Sequence, residues 1–160
     1  MIKNTEYIVK KAYKRIWILR RLKNLGATIE QLSDVYKKQI RSVLELAIPV
    51  WHSSLTQTNR ISIERVQKSA LQVILGPAYE SYRYACLKLN LLTLEERRDN
   101  ICKKFAEKAI KNPKHKKWFK VNKLNERTRQ KQTTYCNVFA RTKRFENSPI
   151  SYLTKILNKI

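Results

Sequence analysis

Residues 36–76, YKKQIRSVLELAIPVWHSSLTQTNRISIERVQKSALQVILG, hold two helical faces on either side of a proline break. Counting from just upstream, Leu32, Val35, Tyr36, Gln39, Ile40, Val43, Leu44 and Ala47 recur at three- and four-residue steps, the period of one face of an α-helix. Pro49 has no amide hydrogen and disfavours a helical conformation at Ile48, so a break or kink is predicted there. His52 falls in a loop beside Trp51, and Trp51 is predicted to pack back against the stripes from Val43/Leu44 and Val66/Ala70. A further helix is predicted to start after Thr58-Asn59, with Ile63, Val66, Ala70, Val73 and Ile74 inward, and to stop at Gly76-Pro77. The stretch is a helical core unit without catalytic chemistry.

On its N-terminal side, Thr5 to Leu25 place Ile8, Ala12, Ile16, Leu19 and Leu22 on one stripe with Trp17 beside it. Gly26 stands where a helix ends on a left-handed residue. Thr28-Ile29-Glu30-Gln31 has the form of a capping box, in which side chain and backbone at the helix start bond reciprocally. On the C-terminal side a short helix from Ser81 carries Tyr84, Ala85, Cys86 and Leu89. Thr93-Leu94-Glu95-Glu96 is a second capping box, opening a helix with Leu94, Ile101, Phe105 and Ala109 that ends at Asn112-Pro113. The predicted fold is all-α: an irregular helical bundle of about five helices over residues 1–112, then a basic, weakly structured extension over 113–160. Within that extension Tyr152, Leu153, Ile156 and Leu157 form a short terminal helix after Ser148-Pro149.

Composition agrees. Only two Gly and four Pro argue against an all-β sandwich, which needs turn residues at short intervals. An apolar fraction of 42% argues against wholesale disorder, and 160 residues bury about 68–70% of their unfolded surface. The outlier is charge: 35 Lys+Arg against 12 Asp+Glu leave a formal net of +23, which attracts polyanions. No apolar run nears the ~20 residues that span a bilayer, so no membrane role is expected. The basic start lacks a continuous apolar stretch and is not read as a secretory signal. Cys86, Cys102 and Cys136 are odd in number and widely spaced, which fits reduced thiols in an intracellular setting, nucleus or cytoplasm.

No catalytic residues, metal ligands or cofactor are predicted. No glycine elbow surrounds a serine, no Walker lysine loop is present, and no Cys or His stands at zinc-ligand spacing. His52 reads as a polar loop residue and His115 as a solvated member of a lysine run. Glu95, Glu96 and Asp99 lie in the first turns of a helix, where acids favour the macrodipole. Asp34 and Glu45 are isolated, so the carboxylate cluster of two-metal phosphoryl transfer is missing. What remains is a basic surface in three groups. Lys10, Lys11, Lys14, Arg15, Arg20, Arg21 and Lys23 form the first. The second is Lys103, Lys104, Lys108, Lys111, Lys114, Lys116, Lys117 and Lys120; the third is Arg127, Arg129, Lys131, Arg141, Lys143 and Arg144, interleaved with Tyr135, Phe139 and Phe145. Phosphates attract such charge regardless of base sequence and aromatics stack on unpaired bases, so nucleic acid is the expected partner.

KKAYKRIWILRRLKNLG (10–26), LELAIPVWHSSLT (44–56), IERVQKSALQVILG (63–76), LTLEERRDNICKKFAEKAIKNP (92–113) and RTKRFENSPISYLTKILN (141–158) add a resemblance. Together they resemble the region after the polymerase palm in reverse transcriptases of non-LTR (LINE-type, jockey-like) retrotransposons. Pro49 and Trp51 match that family's helix-ending Pro before Val-Trp, Gln67 its glutamine, and Gly76 its helix stop. Leu46 and Gln72 depart from it, standing where the family often has Tyr and a basic residue. The resemblance implies a thumb-like C-terminal fragment of an RNA-directed DNA polymerase from a mobile element. It would hold template RNA or RNA–DNA hybrid, partner the missing palm and fingers, and carry no active site of its own. A stand-alone basic nucleic-acid-binding or interaction protein is the alternative, and an independent enzyme the weakest reading.

Overall fold

The punctuation of the sequence places the helices. In a computed structural model, which describes residues 2–122, 134–137 and 139–159, α1 (Ile2–Asn24) buries Thr5, Ile8, Ala12, Ile16 and Leu19 on one face. It closes on Gly26, at φ 84°, with Gly26 N–H donating to Lys23 O and Ala27 N–H to Leu22 O, the paired bonds of a Schellman end. The Thr28 capping box opens α2 (Ile29–Val35): Gln31 N–H donates to Thr28 Oγ1 and Thr28 N–H to Gln31 Oε1.

From α2 the chain passes without a break through a π-helical stretch, Tyr36–Arg41, into α3 (Ser42–Leu44). The π stretch has a physical reason. The fully buried residues here are Leu32, Tyr36, Ile40 and Leu44, each four apart. In an α-helix of 3.6 residues per turn, every four-residue step overshoots by about 40°. The wider π turn underwinds the backbone and keeps the row on one face. Gln39 and Ala47, expected inward, are exposed, and Val43 is half-buried.

The break falls at Ala47, which adopts φ 53°. Pro49 sits in the first turn of α4 (Ile48–Trp51), where its missing donor costs little. A 3-10 turn, His52–Ser54, follows. α5 (Gln57–Leu75) starts earlier than expected, because Thr56 is its cap and accepts from Asn59 N–H. It buries Ile63, Val66, Gln67, Ala70, Leu71, Ile74 and Leu75, with Val73 only half-buried. After Gly76 come α6 (Tyr82–Lys88), capped by Ser81, and α7 (Leu94–Lys111), opened by the reciprocal Thr93–Glu96 bonds. The last elements are α8 (Pro113–Lys116), α9 (Lys143–Glu146) and α10 (Pro149–Leu157). Among the described residues the fold is all-α without a strand; Val121 and Tyr135 form an isolated antiparallel bridge.

Backbone packing groups the chain into two units: Met1–Ala47 with Leu55–Arg98, and Ile48–Ser54 with Asp99–Ile160. The boundary expected at 112/113 followed the change in charge. Packing follows apolar surface instead, and divides within α7.

In the first unit α1 lies along α5 and against the π-helical stretch and α3. Several polar groups in this core are paired. Tyr36 OH donates to Gln67 Oε1 at 2.6 Å, and Gln67 Nε2 donates to Leu92 O at 3.0 Å. Tyr82 OH donates to Glu64 Oε2, which also accepts from Leu94 N–H. Burial, then the bond to Glu64, pushes the Tyr82 phenol far above its ordinary value. Glu45, expected to be isolated, pairs with Arg41 at 3.3 Å and with Arg97.

In the second unit α10 packs against α4, the 52–54 turn and α9. The extension is therefore less weakly structured than its composition predicts. α10 buries Ser151, Leu153, Thr154, Ile156 and Leu157, and Phe119 is buried as well. Asn158 holds the backbone of Tyr135 from both sides, accepting from its N–H at 2.9 Å and donating to its carbonyl at 3.0 Å. His52, in the turn beside Trp51 as expected, is 2% exposed, with Nε2 2.9 Å from Asp99 Oδ1. Tyr152 OH donates to the same oxygen at 3.2 Å, its ring meeting the imidazole edge-on. Asp99 thus works as a buried-side anchor in addition to its place early in α7.

Candidate nucleic-acid interface

The basic residues singled out by sequence differ in how free their charges are. On α1, Lys10, Lys11, Lys14, Arg20 and Arg21 are exposed. Arg15 is half-buried, its Nη1 donating to Gln39 O at 2.5 Å. Lys23 is committed to structure: its Nζ donates to Val73 O at 2.6 Å and reaches Ile74 O at 3.4 Å, neutralising carbonyls at the end of α5. That side chain also fills the space beside Gly76, whose φ of 56° few side-chain-bearing residues adopt. Sequence placed Arg15 and Lys23 with the others because their acceptors lie 24 and 50 residues away.

Two aromatic side chains accompany the exposed cations of α1. Tyr7 is 62% and Trp17 61% exposed. Lys11 Nζ lies 5.7 Å from the Tyr7 ring centre and the Arg21 guanidinium 5.7 Å from the Trp17 ring centre. Both pairs are four residues apart, one helical turn.

In the second unit Lys114, Lys116 and Lys117 are exposed on α8 and its C-cap, and Asn112 caps that helix by accepting from Lys114 N–H. His115 stacks on Trp118, ring centres 4.4 Å apart. Lys103, Lys104, Lys108 and Lys111 are exposed along α7. Arg141 precedes α9, and Lys143 and Arg144 lie on it, all exposed. Arg127, Arg129 and Lys131 lie outside the described residues. Of the aromatics thought to interleave with the third group, Tyr135 is half-buried edge-on to Phe119, whereas Phe139 and Phe145 are exposed.

The four residues of structural motif are placed as follows. Trp51 and Gln67 are buried, Pro49 is half-buried at the start of α4, and Gly76 ends α5. Among the described residues no three or more His, Cys, Asp or Glu come together where they would hold a metal ion. No described helix is long and apolar enough to cross a membrane. The chain matches no family model, no curated protein and no solved structure.

Proposed function

We propose that this chain is a non-catalytic nucleic-acid-gripping element, the thumb-like C-terminal part of a non-LTR retrotransposon reverse transcriptase, holding template RNA or RNA–DNA hybrid in nucleus or cytoplasm. The observation that carries the nucleic-acid part is α1. One long helix buries an apolar face and turns five exposed cations to solvent on the others. The polymerase assignment rests on the sequence resemblance, with Trp51 and Gln67 buried as structural rather than ligand-binding residues. A stand-alone basic nucleic-acid-binding protein is the second reading, supported by the same cations. Genomic sequence upstream separates the two: a palm segment with an Asp-Asp pair favours the first.

Binding should be electrostatic and measurable. Engaging about five phosphates gives a slope of log affinity against log salt between roughly −3.5 and −4.5. Replacing Lys10, Lys11 and Lys14 by Gln should flatten that slope by about 2 to 3. It should also cost more affinity than the same change at Lys114, Lys116 and Lys117, because a long packed helix pre-positions its side chains at lower entropic cost. Fluorescence anisotropy with a labelled RNA across a salt series reads both numbers. Equal losses in the two triple variants would leave a generic polycation.

The same reading requires catalytic silence. With primed RNA template, dNTPs and Mg²⁺, the isolated chain should extend no primer, since no cluster fit to hold a metal pair is found among the described residues. Template-dependent incorporation by the purified chain would overturn the assignment.

A further inference from the structure

Seen down its axis at 100° per residue, α1 places Tyr7, Lys10, Lys11, Lys14, Trp17 and Arg21 on an arc of about 120°. The buried residues Ile8, Ala12, Ile16 and Leu19 occupy the other side. The arc carries no acid, and its one aliphatic side chain, Ile18, is half-buried. Tyr7, Lys10, Lys11 and Lys14 together line a surface recess of about 320 Å³. We propose that this stripe is a binding face for single-stranded nucleic acid, with Tyr7 and Trp17 stacking on unpaired bases and the four cations taking the phosphates; the inference rests on the nucleic-acid reading above and narrows its ligand.

The chemistry favours a single strand over a duplex. A duplex offers its phosphates but keeps its bases stacked on one another, so two large exposed rings gain nothing from it. An unpaired strand offers base faces as well as charge, and stacking is tolerant of sequence. The spacing is suitable. Tyr7 and Trp17 lie ten residues apart, about 15 Å along the helix axis. At the ~3.4 Å rise of a stacked strand, that is some four bases. Lys11 and Arg21, one turn after each ring, set a cation beside each stacking platform. An anionic membrane surface fits less well, because interfacial helices bury a broad apolar face in lipid and the apolar face of α1 is already buried in the protein.

The test uses the full chain, an RNA 20-mer without self-complementarity, the duplex of the same sequence, and vesicles of mixed neutral and anionic lipid. Tyr7→Leu/Trp17→Leu should weaken binding to the single strand by roughly tenfold or more per ring, leave the salt slope unchanged, and leave duplex binding within about twofold. Tyr7→Phe/Trp17→Phe, which keeps both rings, should retain most single-strand affinity. Both positions are exposed, and an unchanged far-UV circular dichroism spectrum establishes that the variants fold. Equal effects of the Leu pair on single strand and duplex, or no effect on either, would overturn the stacking face while leaving the nucleic-acid reading intact. Failure of the wild-type chain to bind any strand would remove that broader reading as well. Vesicle binding that depends on the two rings, with strand binding that does not, would reassign the face to membranes.

Discussion

Gln67→Leu should destabilise the chain by about 1–3 kcal/mol, read as a lower urea midpoint, although Leu matches Gln closely in size. Gln67 is 1% and Tyr36 0% exposed. The amide uses both of its ends: Oε1 accepts from Tyr36 OH and Nε2 donates to Leu92 O. Leu keeps the packing but strands the Tyr36 hydroxyl out of reach of water, at about 1–3 kcal/mol for a buried group left unmade, whereas Leu92 is 48% exposed and its carbonyl turns to solvent. Tyr36→Phe added to Gln67→Leu removes the buried orphan and should recover part of the loss, giving a coupling of about 0.5–3 kcal/mol for two residues in one network. A Gln67→Leu variant that unfolds at the wild-type midpoint would show the network to be energetically idle. The network also has a pH limb. Burial holds the Tyr36 phenol far above its ordinary value of 10.0. Its contribution is therefore fully present below pH 10 and declines above it, where the unfolded chain deprotonates and the folded one does not.

What sequence made legible was local. Thr28 and Thr93 announced capping boxes because cap and partner lie three residues apart, and Gly26 announced a helix end because few other residues take that conformation. The row on α7 was legible only in part. Reading the bulkiest residues chose Ile101 and Phe105, both half-buried, whereas the centre of the buried face runs through Leu94, Arg98, Cys102, Ala106 and Ala109. Small residues let a neighbour approach closely, and a buried Arg contradicts any hydrophobic pattern; Glu64, 3.6 Å away, is part of what makes it tolerable. The π stretch was invisible because a run of four-residue steps looks helical over any short window. The pairs His52–Asp99 and Glu45–Arg97 join residues 47 and 52 apart, beyond any local pattern. The same limit applies to the candidate interface. Composition counts cations, but only the fold separates Lys10 and Lys14, free in solvent, from Lys23, spent on the end of α5.

Trp51→Ala should cost about 3–5 kcal/mol, the usual range for deleting a buried large aromatic. Trp51 is 5% exposed in α4, and its carbonyl accepts from Ser54 Oγ at 2.9 Å, closing the turn that carries buried His52. Losing the indole leaves a cavity, and against a total stability of about 5–15 kcal/mol the loss is large. With a urea dependence of about 1–3 kcal/mol per molar, the midpoint should fall by roughly 1–5 M. Trp17→Ala is the matched control. Its ring is 61% exposed, so its removal should shift stability by no more than about 0.5 kcal/mol. The two tryptophans should therefore separate cleanly, Trp51 in the urea midpoint and Trp17 in single-strand affinity. In dilute buffer, where most of the Trp51→Ala chain is still folded, its affinity for the RNA 20-mer should remain close to wild type. A Trp51→Ala variant that melts at the wild-type midpoint yet loses RNA binding would reverse these roles, placing Trp51 at the ligand and taking the structural meaning from the Pro-Val-Trp motif.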